Sequence, residues 1–277
     1  MVTKVKNWMQ NELFQGIGLI AIACIVLVIT LLVGTNAPIA AAPTKPIHTT
    51  PNVIQLGLPQ TALSSDDFTY KNGYLVCSAA NTMMGIDVSH HQQDIDWQQV
   101  AQAGVEFVMV RLGYRGLNGQ GMYEDRYVQQ NLTGAREAGI LVGAYFYSQA
   151  ITPEEAEEEA RYALEILGDF QLDLPLVYDW EQEYRTENMA TKEVTACSAA
   201  FCHIIEEAGI QPMIYFNSYQ AVNLMELDYL TEYPWWLAMY DTEAEFPCRF
   251  DIWQYSSTGS VPGIEGNVDL DILILPE

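Results

Sequence analysis

"LPLVYDWEQE", residues 174–183, is the stretch on which the reading of the chain turns. An apolar run ends abruptly in Asp179, Trp180 and Glu181. A short apolar run of this kind reads as a buried strand. On a strand, residues i and i+2 face the same way, so Asp179 and Glu181 share a face with their α-carbons about 6.5–7 Å apart. Two carboxylates that close do not ionise independently, and one pKa is expected to rise. A D-x-E tripeptide also occurs on solvated surfaces, so the flanking sequence has to supply the context.

That context is regular. "MMGIDVS" (83–89) reads as a strand, "DWQQVAQAG" (96–104) as a helix stopped at Gly104, and "EFVMVRLGY" (106–114) as a second strand. A helical stretch at 124–138 and Gly139 lead into strand "ILVGAYFYS" (140–148). "TPEEAEEEARYALEIL" (152–167) is a helix with Thr152 as its cap and Pro153 at its first position. Its acidic face is most simply a solvated one. The D-x-E strand follows, then a helix over about 191–208 and strand "PMIYFNS" (212–218). Strands alternating with helices imply a parallel sheet with helices outside. After a short helical piece near 219–225 come "PWWLAMY", "FDIWQYS" and "VDLDILI". The gaps between these three are too short for crossover helices. The fold class is therefore α/β, an irregular TIM-like barrel of eight strands whose last three lack proper helices.

The N-terminal part differs. Lys4 and Lys6 precede residues 16–34, an uncharged apolar run long enough to span a membrane. Basic residues on that side keep segment 1–15 in the cytoplasm. "APIAAAPT" offers Ala40 and Ala42 as a cleavage site, so secretion after cleavage near Ala42 is the rival reading. The run exceeds the usual signal core, which favours a single-pass anchor with the remaining domain outside the membrane. Residues 35–83, with Pro43, Pro46, Pro51 and Pro59, read as a linker or stalk, part of which ("GYLVCSAA") can pack on the domain at 84–277.

A net charge of −24 argues against binding nucleic acid through its phosphates and leaves a glycan compatible. Outside the apolar run, Cys77, Cys197, Cys202 and Cys248 are scattered without a C-x-x-C pair, so spacing identifies no disulfide and no zinc site. An exported location permits disulfides.

In a barrel of this kind, reactive groups sit at the C-terminal ends of strands. Those ends offer Asp87, then Tyr145 and Tyr147, then Asp179 and Glu181. They continue with Tyr215 and Asn217, Tyr240 and Asp241, Gln254, and finally Asp269 and Asp271 at the last strand. Trp235 and Trp236 face opposite ways, and Trp236 is taken as the groove residue. Acids, tyrosines and amides are what a sugar-cleaving site needs. A carboxylic acid that keeps its proton near neutral pH can protonate a glycosidic oxygen. Glycoside hydrolysis commonly adds a second carboxylate. His90 and His91 sit just after Asp87 and suggest a metal site, but the chain holds only four histidines, and no metal and no cofactor is expected. Arg111 fits a core ion pair and a substrate contact equally well.

Three stretches in order carry a family resemblance. "GIDVSHHQQDIDWQQV", "LVYDWE" and "DIWQYSSTGSVPGIEGNVDLD" resemble the opening strand and helix, the D-x-E strand and the C-terminal signature of glycoside hydrolase family 25, the lysozymes of the N,O-diacetylmuramidase type. The resemblance runs from about residue 84 to the C-terminus. It implies a (β/α)5β3 barrel acting on bacterial peptidoglycan at the β-1,4 bond between N-acetylmuramic acid and N-acetylglucosamine. Carried over by motif, it implies Glu181 as general acid and Asp179 as support for the substrate's N-acetyl group. Asp87 and Asp269 would complete the acidic cluster, and Tyr147 and Gln254 would contact sugar or hold the carboxylates. A barrel that binds glycan without cleaving it is a second reading. A chitinase-type glycosidase is a third, although its longer D-x-x-D-x-D-x-E pattern is absent. A monomer is expected.

Overall fold

The computed structural model describes residues 58–240 and 246–276. The apolar run at 16–34 and the cleavage site near Ala42 lie outside the described residues. Among those described, no helix is long and apolar enough to cross a membrane.

The chain enters through a small antiparallel hairpin, β1 (Phe68–Lys71) and β2 (Tyr74–Cys77). Then β3 (Thr82–Val88), α1 (Trp97–Gln102) and β4 (Phe107–Arg115) begin the barrel. β5 (Met122–Glu124) and α2 (Val128–Glu137) follow, then β6 (Leu141–Ser148), α3 (Pro153–Leu167), β7 (Leu176–Trp180) and α4 (Thr191–Glu207). The last elements are β8 (Pro212–Asn217), α5 (Ser218–Asn223), β9 (Trp235–Ala238), β10 (Ile252–Gly259) and β11 (Val268–Ile274). The sheet runs β3-β11-β10-β9-β8-β7-β6-β4 and closes through the β3–β4 pairing, giving the eight-stranded barrel expected; β5 adds only to the edge of β4. All pairings from β3 through β4 to β10 are parallel, whereas β11 runs antiparallel to both β10 and β3. That reversal brings the start of β11 to the same rim as the ends of the other strands.

The local reasons are legible in the residues. Asp96 caps α1 by accepting the Gln99 N–H (3.1 Å), and Gly104 ends the helix at φ +98°, where a side chain would be strained. Thr152 caps α3 through the Glu155 N–H (3.3 Å), with Pro153 at the first helical position. Inside the barrel, Phe107, Met109, Tyr145, Val177, Met213, Tyr215, Trp236 and Ile252 form one apolar cluster. The opposite faces of the same strands, among them Val108, Val110, Tyr178, Ile214 and Trp235, bury a second, larger core against the helices. Alternation thus serves two cores at once, which is why these strands read as unbroken apolar runs.

Two sequence expectations need correction. The stretch 124–138 is not one helix: Glu124 ends β5, and α2 begins at Val128. A three-residue edge strand carries too little periodicity to separate from a helix start. The linker reading also extends too far. From Leu58 onward the chain packs on the barrel: Leu58 and Leu75 are buried in its core. Phe68 meets Trp253 edge-on at 5.1 Å, and the Arg249 N–H donates to the Pro59 carbonyl (2.8 Å). These contacts pair residues nearly two hundred positions apart, so no local pattern announces them. Cys77, Cys197, Cys202 and Cys248 all carry free thiols; burial pushes Cys197 up to about 12 and Cys248 up to about 11.

Candidate active site

The barrel rim encloses a cleft of about 460 Å³, a size typical of small-ligand sites. Its lining includes Asp87, Tyr145, Tyr147, Asp179, Glu181, Tyr215, Trp236, Tyr240, Gln254 and Asp269. They arrive from strand ends spread along the chain, Tyr145 and Tyr147 together from β6 and Asp179 and Glu181 together from the end of β7. Tyr147, Asp179 and Tyr215 are in register on β6, β7 and β8. Asp269 lies directly opposite Asp87 across the antiparallel β11–β3 pair.

Asp179 and Glu181 both face this cleft, as the period of a strand requires. They differ in depth. Asp179 is buried and its Oδ1 has no hydrogen-bond partner, whereas Glu181 stands half-buried at the edge. The backbone between them is fastened from outside. Gln220 Nε2 donates to the Trp180 carbonyl (3.1 Å), and the Thr186 hydroxyl donates to the Glu181 carbonyl (2.9 Å). These bonds tie down the backbone that carries the two side chains aimed into the cleft.

Electrostatics follow from that depth. Burial, and then the charge of Glu181, hold Asp179 well above the usual carboxylate range; the Arg111 guanidinium opposes this. Burial, then Glu183 and Asp269, raise Glu181. Burial raises Asp269 to about 6. Asp87 is raised by burial and by the neighbouring Asp269 and Asp271, against a hydrogen bond from Gln254. The site thus holds protons at pH values where ordinary carboxylates have lost theirs. Tyr147 and Tyr215 are likewise raised by burial and nearby acids, so their hydroxyls remain donors.

Gln254 organises one wall. Its Oε1 accepts from the hydroxyls of Tyr215 (3.1 Å) and Tyr240 (2.7 Å), which leaves Nε2 to donate to Asp87 Oδ2 (2.6 Å). The register of β10 on β11 is irregular just past Gln254, and that of β4 on β6 just past Arg111. Such irregularities re-aim side chains beside sites. Trp236 forms part of the floor, edge-on to Tyr215 (5.0 Å) and Tyr145 (6.0 Å), while Trp235 packs outward on Phe216 (5.6 Å).

Three sequence readings change here. Asn217 does not line the cleft: its side chain caps α5 by accepting the Gln220 N–H (2.9 Å). Its place at a strand end is shared by residues that begin the next helix, and sequence alone does not separate the two uses. Arg111 makes the ion pair, donating to Asp125 Oδ2 through Nε (2.9 Å) and Nη2 (2.7 Å), and it also lines the cleft. His90 sits on the same Asp125 carboxylate (3.3 Å), with Arg111 donating to its ring. Glu159, one of the acids of a helix whose acidic face was read as solvated, is fully buried. Its phase with Ala156, Ala160 and Ala163 could have revealed this. Asp241 lies outside the described residues.

A closed barrel carrying acids, amides and tyrosines on its rim is an arrangement suited to sugar-cleaving enzymes, the O-glycosyl hydrolases. Residues 86–264 match the profile of Glycosyl hydrolases family 25, and the chain belongs to this family. The YegX protein of Escherichia coli (strain K12) is 32% identical over 228 residues, covering 76% of this chain and 79% of that one. Lysozyme M1 of Streptomyces globisporus is 28% identical, covering 68% of this chain and 66% of its own. The autolysin LytC of Streptococcus pneumoniae, solved with a synthetic peptidoglycan ligand, superposes with a TM-score of 0.61 at 25% identity. That match covers 74% of this chain and 51% of LytC, so this chain spans about half the length of that modular protein.

Proposed function

We propose that this peptidoglycan hydrolase is a muramidase, cleaving the β-1,4 bond between N-acetylmuramic acid and N-acetylglucosamine. The observation that supports it most is the pair of raised carboxyls, Asp179 and Glu181, on one strand end with Glu181 nearer solvent. A glycan strand entering the cleft meets Glu181 first. Glu181 gives its proton to the glycosidic oxygen as the bond to the anomeric carbon breaks. Because Asp179 and Glu181 stand side by side on one strand, they do not flank the sugar from opposite faces. That geometry favours a substrate-assisted route. The N-acetyl carbonyl oxygen attacks the anomeric carbon while Asp179 accepts a hydrogen bond from the acetamido N–H. Water then opens the cyclic intermediate, returning a proton to Glu181. Asp87 and Asp269 lend negative potential to the positive charge developing on the sugar.

The apolar run at 16–34 supports placing this activity outside the membrane, with the domain held near it. The test uses full-length protein in detergent, as wild type and as Glu181→Gln, on purified peptidoglycan. Products are reduced with borohydride and the new end sugar identified by mass spectrometry. Reduced muramic acid from wild type alone is expected; reduced glucosamine would mean that the bond is the other one. Proton NMR of the fresh product should show the β-anomer, and an inverted anomer would exclude the substrate-assisted route.

A further inference from the structure

Arg185 lies four residues past Glu181 and does not line the cleft, yet it is held on three sides. Its Nη1 and Nη2 donate side by side to Glu155 Oε2 (2.7 Å) and Oε1 (2.6 Å), a two-pronged ion pair with the first turn of α3. Nη1 also donates to the Gln149 carbonyl, between β6 and α3. On the third side, the turn after β4 lies against the guanidinium. A Cβ at Gly119 would come within 2.7 Å of Arg185 Nε, and Gly119 has φ +71°, so glycine lets the turn approach. The ion pair is largely withdrawn from water, at 17% and 25% exposure, so solvent screens it less than an open surface pair. Burial acts against the Glu155 charge, but the Arg185 hydrogen bond and the Ile151 N–H outweigh it and hold this carboxyl below its usual range.

The segments that meet at Arg185 follow β4, β6 and β7, three neighbours in the barrel. Two short routes lead from it to Glu181. Thr186, fully buried, accepts the Glu183 N–H (2.7 Å) and donates to the Glu181 carbonyl (2.9 Å). Gln149, whose own carbonyl Arg185 grips, donates from Nε2 to the same Glu181 carbonyl (3.4 Å). We propose that Arg185 is a positioning residue for the general acid, a clasp that joins three rim loops and holds the backbone of Glu181 half-buried at the cleft edge. Its effect on the reaction passes through that burial, the first cause that raises Glu181. The titratable groups around Glu181 are Asp179 of its own strand, Glu183 of its loop, Asp269 of β11, Tyr147 of β6, Tyr215 of β8 and Tyr240 past β9. None of them belongs to the clasp, so a variant at Arg185 leaves them in place.

The inference rests on the muramidase reading for its kinetic consequence, and hydrogen exchange tests the clasp apart from it. In full-length protein, Arg185→Ala should speed amide exchange in peptides covering 149–155 and 181–187 and leave the rest of the barrel unchanged. Unchanged exchange in those peptides would overturn the clasp. On peptidoglycan, Arg185→Ala should lower kcat about 10–100-fold with little change in KM, because the acid is misplaced while the cleft lining stays. The basic limb of the pH–rate profile should move to lower pH, since the acid works protonated and a wetter Glu181 gives up its proton sooner. A limb that moves upward would mean that Arg185 acts only as a nearby cation. An unmoved limb, with kcat falling no further than the melting temperature explains, would make it an ordinary structural residue. Either result refutes the proposal. Glu155→Gln, a milder change, should reproduce both effects, and the double variant should be no worse than Arg185→Ala alone. Arg185→Lys keeps the charge without the fork and should recover only part of kcat. Faster exchange with no cleavage by wild type would sink the muramidase reading and leave the clasp standing.

Discussion

Glu159 and Asp179 are both carboxyls withdrawn from water, and the protein treats them in opposite ways. Glu159, behind the β6 rim, accepts from Arg115 Nε (2.6 Å), the Ser148 hydroxyl and the Gln149 N–H (3.3 Å). Ser148 in turn contacts the Tyr178 hydroxyl (3.0 Å). Burial still pushes the Glu159 pKa upward, but three donors, one of them a cation, work against it. Asp179 has an Oδ1 with no partner, and the nearby Glu181 adds repulsion. Where a buried acid serves the scaffold, the chain surrounds it with donors. At Asp179, which faces the cleft, one carboxylate oxygen is left without a donor. The first network also supports the second site, because Gln149 donates to the Glu181 carbonyl (3.4 Å).

The comparison can be broken in order of expected effect. Glu181→Gln should lower kcat about 10²–10⁴-fold, the usual range for loss of a general acid. Its melting temperature should hold or rise, because a repelling acid has gone; a large fall in stability would place Glu181 with the scaffold instead. Arg115→Ala should do the reverse. Stranding the Glu159 charge costs roughly 3–5 kcal/mol in denaturant titrations at neutral pH. The deficit should shrink in acid, where Glu159 takes up a proton.

Asp269→Asn sharpens the contrast between function and stability. The folded pKa of Asp269 is about 6, above its model-compound value of 3.8. Between those values the folded state holds a proton that the unfolded chain has lost. The stability this provides is complete below about pH 4 and is lost as pH rises through 6. Removing the charge should therefore stabilise the domain by roughly 1–3 kcal/mol at pH 7 and leave it unchanged near pH 4. Unfolding curves at the two pH values check this. Asn217→Ala should be the mildest, costing about 1 kcal/mol for a lost helix cap. KM should not move, since the side chain does not line the cleft; a raised KM would return Asn217 to the site.

Much of the barrel was legible because its strands are buried on both faces. "FVMVR", "LVYDW" and "MIYF" are apolar runs, and each became a strand. The shared face of Asp179 and Glu181 followed from a two-residue period, and the antiparallel last strand explains why Asp269 reaches the same rim. Illegible features depended on long-range pairing. Asp271 looks no different from Asp269 in "VDLD", yet one lines the cleft and the other lies under it. Glu159 is one of many glutamates in its helix until Arg115, forty-four residues earlier, is seen to meet it.

The amino-acid order alone determined the number and kind of barrel strands, the Thr152 cap of α3 and the candidates for chemistry, because period, capping and turn formation act over a few residues. The tertiary structure decided which acids meet donors and which do not, that residues from Leu58 onward belong to the barrel, and that Asn217 serves a helix. Desolvation and charge pairing depend on which groups closure of the barrel brings together, and that closure joins β3 to β11 across almost the whole domain.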